Sequence, residues 1–432
     1  MTEAATRPPE QHVDAHDLVK RRHPFSAREL LRAVGPGVIT GGADNDPAGI
    51  ATYSVVGASA GYSQNWLLAI STPLLITVQT MSARVGNVLK TDLATAIKNR
   101  FGGRIANGAV AMVVIANIIT IGADLLMMAA VTQLMTGVNF RVFIVPYAVV
   151  IAAMTIFTDY RVVSKYLLWL AGVFATYIVA AVLAHPNWLT VLHDTVLPAI
   201  KLNPTYFLGA VGLLGTTITP YLFFWQTSAE VEEKRGVQST RRTGIDISIG
   251  MVWSNISGLF IMIVTATVLF SHHAQVQTAA DAARALEPIA GPYAKYLFSV
   301  GVIGAGLLAI PVLSASTAYC VGGLFGWRRG LGRAVNNAPQ FYIVLALAIL
   351  VGVQLAVVNV NPVRALFYSQ VLDGIIAPVL VTLLVVITGS RRLMGDFVSG
   401  RVLRTLGWCA VGVLTMADLA MFYTVATQGL PG

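Results

Sequence analysis

Residues 35–49 read Gly-Pro-Gly-Val-Ile-Thr-Gly-Gly-Ala-Asp-Asn-Asp-Pro-Ala-Gly, within the first long apolar stretch of the chain. An ionised aspartate at mid-bilayer costs about 3 kcal/mol or more unless it is partnered or hydrated, and this stretch holds two of them, Asp44 and Asp46. Pro47 removes a backbone donor and clashes with the preceding turn. If the stretch crosses a membrane, we predict that its helix unwinds over residues 40–49, beside a cavity or buried in protein.

The composition of the whole chain indicates that it does cross a membrane. Of its 432 residues, 56% are hydrophobic and only 11% are charged, whereas soluble domains carry roughly 25% charged residues. So few charges cannot cover a soluble globule, and the hydrophobicity excludes a disordered chain. We therefore predict an all-α polytopic membrane protein, because the alternating pattern of barrel strands is missing.

Eleven apolar stretches are long enough to span a bilayer at about 20 residues each. They lie near residues 33–59, 65–84, 106–135, 141–158, 162–184, 205–229, 245–271, 293–325, 340–360, 364–388 and 404–427. With the N-terminus in the cytosol, all but five of the 29 Lys and Arg residues fall on the cytosolic side, as the positive-inside rule requires. We predict a cytosolic tail over residues 1–30, without a signal peptide, and an extracytoplasmic C-terminus.

The sixth stretch is interrupted like the first. Residues 212–221 read Gly-Leu-Leu-Gly-Thr-Thr-Ile-Thr-Pro-Tyr, so small and hydroxyl residues precede a proline inside an apolar run. Two interrupted helices five spans apart are typical of an inverted repeat with its substrate site between the breaks. We predict one transporter domain over residues 31–427, divided into repeat one (33–184), repeat two (205–388) and an extra helix (404–427).

Oxygen atoms dominate both breaks. Carboxylates, freed backbone carbonyls and hydroxyls are the ligands that Mg²⁺ and Mn²⁺ prefer. No histidine lies in a predicted span, and Cys320 and Cys409 lie away from both breaks, so a soft-metal site is poorly supplied. No nucleotide-binding loop, zinc-protease motif or serine nucleophile motif occurs. We therefore expect no enzyme activity, no resident cofactor, no nucleotide and no nucleic-acid partner.

The first break continues as Asp46-Pro47-Ala48-Gly49-Ile50-Ala51-Thr52, and the second contains Thr219-Pro220-Tyr221. With these motifs the chain resembles the NRAMP family of divalent-metal transporters, and more closely its NRAMP-related magnesium-transporter branch. The resemblance runs from about residue 33 to the last span. It implies a LeuT-like fold of five plus five helices with helices one and six broken, and transport by alternating access.

The resemblance also implies a metal site, with departures from the family pattern. Asp46 falls on the family's metal-binding aspartate, while Ala43 and Thr216 fall where the family offers backbone carbonyls. Gly49 replaces an asparagine ligand, and Thr219 replaces a methionine whose thioether favours transition metals. A roomier site with hard ligands suits Mg²⁺, which dehydrates reluctantly and keeps several waters.

The proton route implied by the family is altered as well. Its histidine after the sixth-helix proline is Tyr221 here, and an acidic position in helix three is Met127. Neither side chain carries protons near pH 7. Asp124 falls on a further helix-three aspartate. We expect weak or absent proton coupling.

Other acids and amides are candidates with open alternatives. Gln370 and Asp373 share a face of span ten, either as ion ligands or as helix-packing groups. Asp44 either binds waters of the ion or draws cations to the entrance. Asp418 is interpreted as structural. Three glutamates follow span six. They are expected to form a solvated, salt-bridged helix end, or else an acidic vestibule: Glu230, Glu232 and Glu233.

These inferences predict a transporter that acts as a monomeric unit in the lipid bilayer of a prokaryotic inner membrane. Its cargo would be divalent cations, Mg²⁺ first and Mn²⁺ second, without strong proton coupling. One alternative is a proton-coupled symporter of Mn²⁺ or Fe²⁺ with the same fold. The other is an amino-acid and sodium symporter, against which the two acids of the first break argue.

Overall fold

The computed structural model describes residues 36–158, 174–233, 240–358 and 360–430. Within these ranges all regular structure is helical. The helices of eight or more residues are α1 (Pro36–Asp44), α2 (Pro47–Ala60), α3 (Asn65–Leu89), α4 (Leu93–Phe101), α5 (Gly103–Thr136), α6 (Arg141–Phe157), α7 (Ala175–Leu183), α8 (Trp188–Val196), α9 (Pro204–Thr217), α10 (Pro220–Glu232), α11 (Thr240–Val268), α12 (Ala294–Phe325), α13 (Pro339–Val357), α14 (Pro362–Thr388) and α15 (Arg401–Gln428).

The helices follow the predicted spans closely. Ten of the eleven predicted spans correspond to described helices whose ends differ from the prediction by a few residues. The fifth, predicted at 162–184, is described only from residue 174, where α7 forms its second half; its first half lies outside the described residues, as does the predicted tail over residues 1–30. Eight helical segments of the described chain are long and apolar enough to cross a membrane, and α6 is shorter at 17 residues.

The first break is shorter than predicted. α1 ends at Asp44 and α2 begins at Pro47, so only Asn45 and Asp46 lie outside helices. Asp46 is the N-cap of α2, because its carboxylate accepts from the Gly49 amide at 2.6 Å, and a proline fits the first helical position, where its missing amide is not needed. The prediction that residues 40–49 unwind was therefore wrong in extent, since local capping restores the helix at once.

The second break has the same form. α9 ends at Thr217 and α10 begins at Pro220, which leaves Ile218 and Thr219 between the two helices. Thr219 does not cap α10 with its side chain. Its hydroxyl instead donates back to the Thr216 carbonyl at 2.7 Å. The hydroxyl thereby occupies one of the acceptors freed where α9 ends.

Burial separates the helices of the interior from the periphery. In the segment formed by α9 and α10, 94% of the residues in the most apolar 18-residue stretch are buried inside the protein. In the corresponding stretch of α15, only 28% are buried. The residues around the first break are buried as well. The two interrupted helices therefore form the centre of the bundle, and α15 lies at its edge, where its apolar side chains suit a lipid surface.

Close backbone contact places α14 beside the second break. A Cβ atom at Gly215 of α9 would overlap the Gln370 carbonyl oxygen, and a Cβ atom at Gly374 of α14 would overlap the Val211 carbonyl oxygen. Small residues at a crossing of membrane helices permit this approach. The crossing brings the polar residues Gln370 and Asp373 into the interior next to Thr216.

Candidate metal site at the two helix breaks

Six of the predicted site residues lie at the two breaks and are buried there. Ala43, Asp44, Asp46 and Gly49 belong to the first break, while Thr216 and Thr219 belong to the second. None of the non-glycine members exposes more than 2% of its surface. Oxygen atoms held in such a packed interior are fixed in position, which is what a specific ion site requires.

Gly49 is the point at which the two breaks meet. A Cβ atom placed on it would lie 3.0 Å from the Thr216 hydroxyl oxygen, 3.3 Å from the Asp44 carbonyl oxygen and 3.3 Å from Asp46 Oδ1. Two of these oxygens come from the first break and one comes from the second. The predicted juxtaposition of the two breaks is thus present, and three oxygens from the two breaks pack closely around Gly49.

The two predicted carbonyl ligands each accept one hydrogen bond. Tyr221 donates its hydroxyl to the Ala43 carbonyl at 2.9 Å, and Thr219 donates to the Thr216 carbonyl. A carbonyl has two lone pairs, so each oxygen keeps one for an ion. Thr219 gives its only proton away and therefore keeps its hydroxyl lone pairs. Tyr221 also ties α10 to the end of α1.

Asp44 is held by Ser254, a residue that no sequence motif indicates. Its Oδ2 accepts a hydrogen bond from the Ser254 hydroxyl of α11, while its Oδ1 has no hydrogen-bond partner among the described residues. Asp246, two turns earlier on α11, accepts from the amides of Gly37 and Val38 at 3.0 and 3.1 Å. One face of α11 therefore holds both ends of α1.

Further buried acids surround this centre. Asp124 of α5 and Asp373 of α14 are almost fully buried and lie close enough to Asp46 for their charges to interact. In the described part of the chain, Asp373 Oδ1 and Gln370 Oε1 accept no hydrogen bond, and Asp124 has at most a weak one from the Ala48 amide. The Gln370 amide donates to Ser369 at 3.3 Å. These groups are available to an ion or a proton that reaches the centre.

The acids are nevertheless not arranged as a preformed acidic cage. Among the described residues, no group of three or more His, Cys, Asp or Glu side chains could hold one metal ion together. A site at the breaks therefore draws on no more than two of these side chains, with Asp46 and Asp44 as the nearest carboxylates, together with neutral oxygens. Oxygen ligands of this kind suit a hard ion that keeps part of its water shell.

Three predicted residues outside the breaks have contrasting surroundings. Met127 is fully buried in the core, and Asp418 of α15 is 8% exposed. Glu230 is fully buried, which contradicts the predicted solvated helix end. Its carboxylate accepts from the side-chain amides of Gln226 and Asn87, both at 2.9 Å. The prediction of a solvated end is wrong for Glu230, because α10 packs against α3 there, whereas Glu232 and Glu233 are partly exposed.

The sequence does contain a pattern that points to Asp246 and Ser254 as interior residues. Asp246, Gly250 and Ser254 recur every fourth residue of α11, so they share one helix face. A polar stripe within a span points to a partner inside the bundle. The partner itself, α1, is about 200 residues away in the chain, and no local pattern indicates it.

The chain matches known proteins over most of its length. The family model described as natural resistance-associated macrophage protein-like (Nramp) matches residues 37–424. The divalent metal cation transporter MntH of Verminephrobacter eiseniae is 27% identical over 94% of this chain and 93% of its own length. That of Deinococcus radiodurans is 26% identical over 95% and 94%.

Solved structures share the fold at low sequence identity. A mutant of the manganese transporter of Eremococcus coleocola superimposes with a TM-score of 0.77 at 18% identity, covering 95% of this chain and 91% of that one. The transporter MhsT in complex with L-phenylalanine gives 0.61 at 12% identity, covering 94% and 99%. These likenesses confirm the predicted all-helical, LeuT-like fold with its two interrupted helices.

Proposed function

This chain belongs to the Nramp family, and from that premise we propose that it is a secondary transporter of divalent metal cations that works by alternating access. The observation that carries the proposal is the meeting of three oxygens at Gly49, from Asp46, Asp44 and Thr216. An ion held between two half-helix pairs is released when one pair moves, which is how such breaks serve transport. The curated relatives named as divalent metal cation transporters support this function.

We infer that the cargo is a hard ion, Mg²⁺ or Mn²⁺. The three atoms nearest to a Cβ position at Gly49, apart from its chain neighbours, are all oxygens, and Thr219 adds a hydroxyl where a sulfur ligand would favour softer metals. The manganese transporter that shares the fold supports Mn²⁺. The all-oxygen surroundings support Mg²⁺ as well, because Mg²⁺ prefers oxygen ligands and keeps several waters.

The proposed driving force is the ion gradient together with the membrane potential. A divalent cation gains about 4.6 kcal/mol per 100 mV if it crosses the full field. Tyr221 occupies the position that would have to exchange protons, and its hydroxyl is engaged with the Ala43 carbonyl. A tyrosine hydroxyl has an ordinary pKa near 10 and stays protonated at neutral pH. Proton coupling through this residue is therefore weak.

A proton-coupled symporter of Mn²⁺ is the second candidate, and one observation favours it. Asp124 and Asp373 are buried carboxyl groups that sense the charge of Asp46. When a divalent ion arrives at Asp46, its field favours proton release from such neighbours. The chain therefore has acids suited to coupling, even though Tyr221 and Met127 are not.

Flux measurements on purified protein in liposomes separate these functions. We expect external Mn²⁺ and Mg²⁺ to enter, and a negative internal potential to accelerate both, while internal pH stays constant. Acidification of the lumen in proportion to Mn²⁺ entry would establish the symporter instead. Sodium-dependent amino-acid uptake without metal flux would refute both metal functions.

For the cell, we propose a bacterial plasma membrane, a cytosolic N-terminus, an extracytoplasmic C-terminus and a monomeric transport unit. The clustering of Lys and Arg on one side supports this orientation, and the curated relatives are bacterial proteins. Labelling of single cysteines placed at residues 3 and 431 from outside the cell would test it, since only the second should react.

Replacing Thr219 with methionine is expected to shift selectivity toward softer ions. A thioether binds Cd²⁺ and Mn²⁺ better than it binds Mg²⁺, so uptake of Cd²⁺ relative to Mg²⁺ should rise about tenfold. Competition among Mg²⁺, Mn²⁺ and Cd²⁺ in the liposome assay measures the shift. Thr219→Val is the control, because it removes the hydroxyl without adding sulfur and should not favour Cd²⁺. Equal selectivity of the methionine variant and the wild type would exclude Thr219 from the site.

A further inference from the structure

A buried chain of hydrogen bonds leads away from the breaks between α1, α10 and α3. The Thr40 hydroxyl lies 2.6 Å from both the Gln226 side-chain oxygen and the Pro36 carbonyl oxygen, so these two acceptors share its one proton, and the Gln226 amide donates to Glu230 at 2.9 Å. Asn87 of α3 donates to the other oxygen of the same carboxylate at 2.9 Å. We call Thr40, Gln226, Glu230 and Asn87 the polar column. None of them exposes more than 4% of its surface.

The polar column begins at the candidate metal site. Thr40 lies one helical turn before Asp44 on α1, so the two residues share a face. Glu230 lies one turn beyond Gln226, near the end of α10. The column therefore extends from the breaks toward the membrane side on which α1 begins, which is the cytosolic side in the proposed orientation.

The column is sealed by the contact between α3 and α10. A Cβ atom at Gly86 would overlap the Thr227 carbonyl oxygen and would lie 3.1 Å from the Glu230 Cβ. On the other side of the column, α1 is joined to α10 by side-chain hydrogen bonds, from Thr40 to Gln226 and from Tyr221 to the Ala43 carbonyl. Because such bonds break more easily than a close backbone contact, we infer that the α1 side is the one that separates. Movement of α1 would free the Gln226 oxygen.

The chemistry of the column fits a divalent cation. A carboxylate buried away from water is costly unless other groups compensate its charge, and the Gln226 and Asn87 amides are among the partners of Glu230 in this conformation. The Asn87 side-chain oxygen, although buried, has no hydrogen-bond partner among the described residues. Once α1 moves and the Gln226 and Asn87 amide groups turn their oxygens toward Glu230 in place of their N–H groups, the column presents a carboxylate and three neutral oxygens, which is a ligand set for a hydrated Mg²⁺ or Mn²⁺.

We propose that the polar column is a second, weaker binding station for the divalent ion on its way to the cytosol. This inference rests on the proposed transport function. Glu230 is the anionic ligand of the station, and Thr40, Gln226 and Asn87 supply neutral oxygens. The hydrogen bond from Thr40 to Gln226 closes the station while the ion occupies the candidate metal site at the two breaks.

Mn²⁺ uptake into liposomes by three variants tests the station. Glu230→Gln keeps the shape and removes the charge, so the maximal rate should fall about tenfold while the external half-saturation concentration changes less than twofold. Glu230→Asp restores a carboxylate and should recover most of the rate. Glu233→Gln removes the same charge three residues along at a partly exposed position, and it should stay within twofold of wild type.

Equilibrium Mn²⁺ binding, followed by the electron paramagnetic resonance of free Mn²⁺, provides a second readout. Asp46→Ala should lose the tight class of sites and retain a weak one near millimolar concentrations, and the double variant with Glu230→Gln should lose both. Absence of the weak class in Asp46→Ala would overturn the station, as would a wild-type rate in Glu230→Gln or an Asp variant as slow as the Gln variant. Wild-type protein that moves no divalent ion would instead refute the proposed function.

Discussion

Replacing Asp46 with asparagine is expected to reduce Mn²⁺ uptake at least 50-fold. Asp46 supplies the only carboxylate among the three oxygens nearest to Gly49. Loss of a residue that merely orients a metal ligand costs about 10–100-fold, so loss of the charged ligand itself should lie at or beyond the upper end. Asparagine keeps a side-chain oxygen for the Gly49 amide, which preserves the cap of α2.

The comparison with Asp46→Ala separates binding from folding. Alanine removes the cap together with the charge and should cost about 1 kcal/mol of additional stability, measured by thermal unfolding in detergent. Both variants should lose uptake equally if the charge binds the ion. Uptake in the asparagine variant at the wild-type rate, with normal stability, would show that Asp46 only caps α2 and that the ion binds elsewhere.

Replacing Gly215 with alanine is expected to destabilise the protein by about 3 kcal/mol and to abolish most transport. The new methyl group would overlap the Gln370 carbonyl oxygen, which belongs to the α14 backbone and cannot turn away. Overpacking of an interior typically costs about 1–3 kcal/mol, and more when backbone must shift. The helices would separate next to Thr216, so the site would lose its geometry as well.

Gly212 offers a matched control on the same helix. A methyl group there would meet the edge of the Phe367 ring at 3.3 Å and the Thr52 methyl group at 3.5 Å. Because side chains can yield by a few tenths of an ångström, Gly212→Ala should be neutral or slightly stabilising, as alanine favours helices by up to about 1 kcal/mol. Thermal unfolding and Mn²⁺ uptake of the two variants should therefore differ sharply. Equal stability would mean that α9 and α14 are not in backbone contact.

The sequence predicts the interrupted helices because proline and acidic residues are unfavourable inside the apolar runs that contain them. Pro47 and Pro220 lie inside apolar runs, and two acids accompany the first. Such a conflict is visible in a short window, since a membrane helix tolerates proline and charge only where other protein groups compensate. The two breaks and their meeting were therefore predictable, and the extent of the first break was not, because it depends on the cap that Asp46 forms with Gly49.

Sequence patterns do not predict contacts between segments that lie far apart in the chain. Asp246 and Ser254 contact α1 across about 210 residues of chain, and a window of sequence contains only one partner of each pair. Glu230 shows the same limit: charged neighbours suggest a wet helix end, yet Asn87 and Gln226 enclose it. Burial of a polar residue is a property of the packed bundle, so it must be read from the assembled helices.

The brevity of the first break has a mechanical consequence. With only Asn45 and Asp46 between two helices, the joint is short, and α1 can move only as a stiff lever. Pro36 lies about 13 Å along the helix from the joint, so a tilt of about 15° at the joint carries Pro36 roughly 3.5 Å. That sweep exceeds the width of one water molecule, and a small rotation beside the cargo is enough to admit solvent from one side.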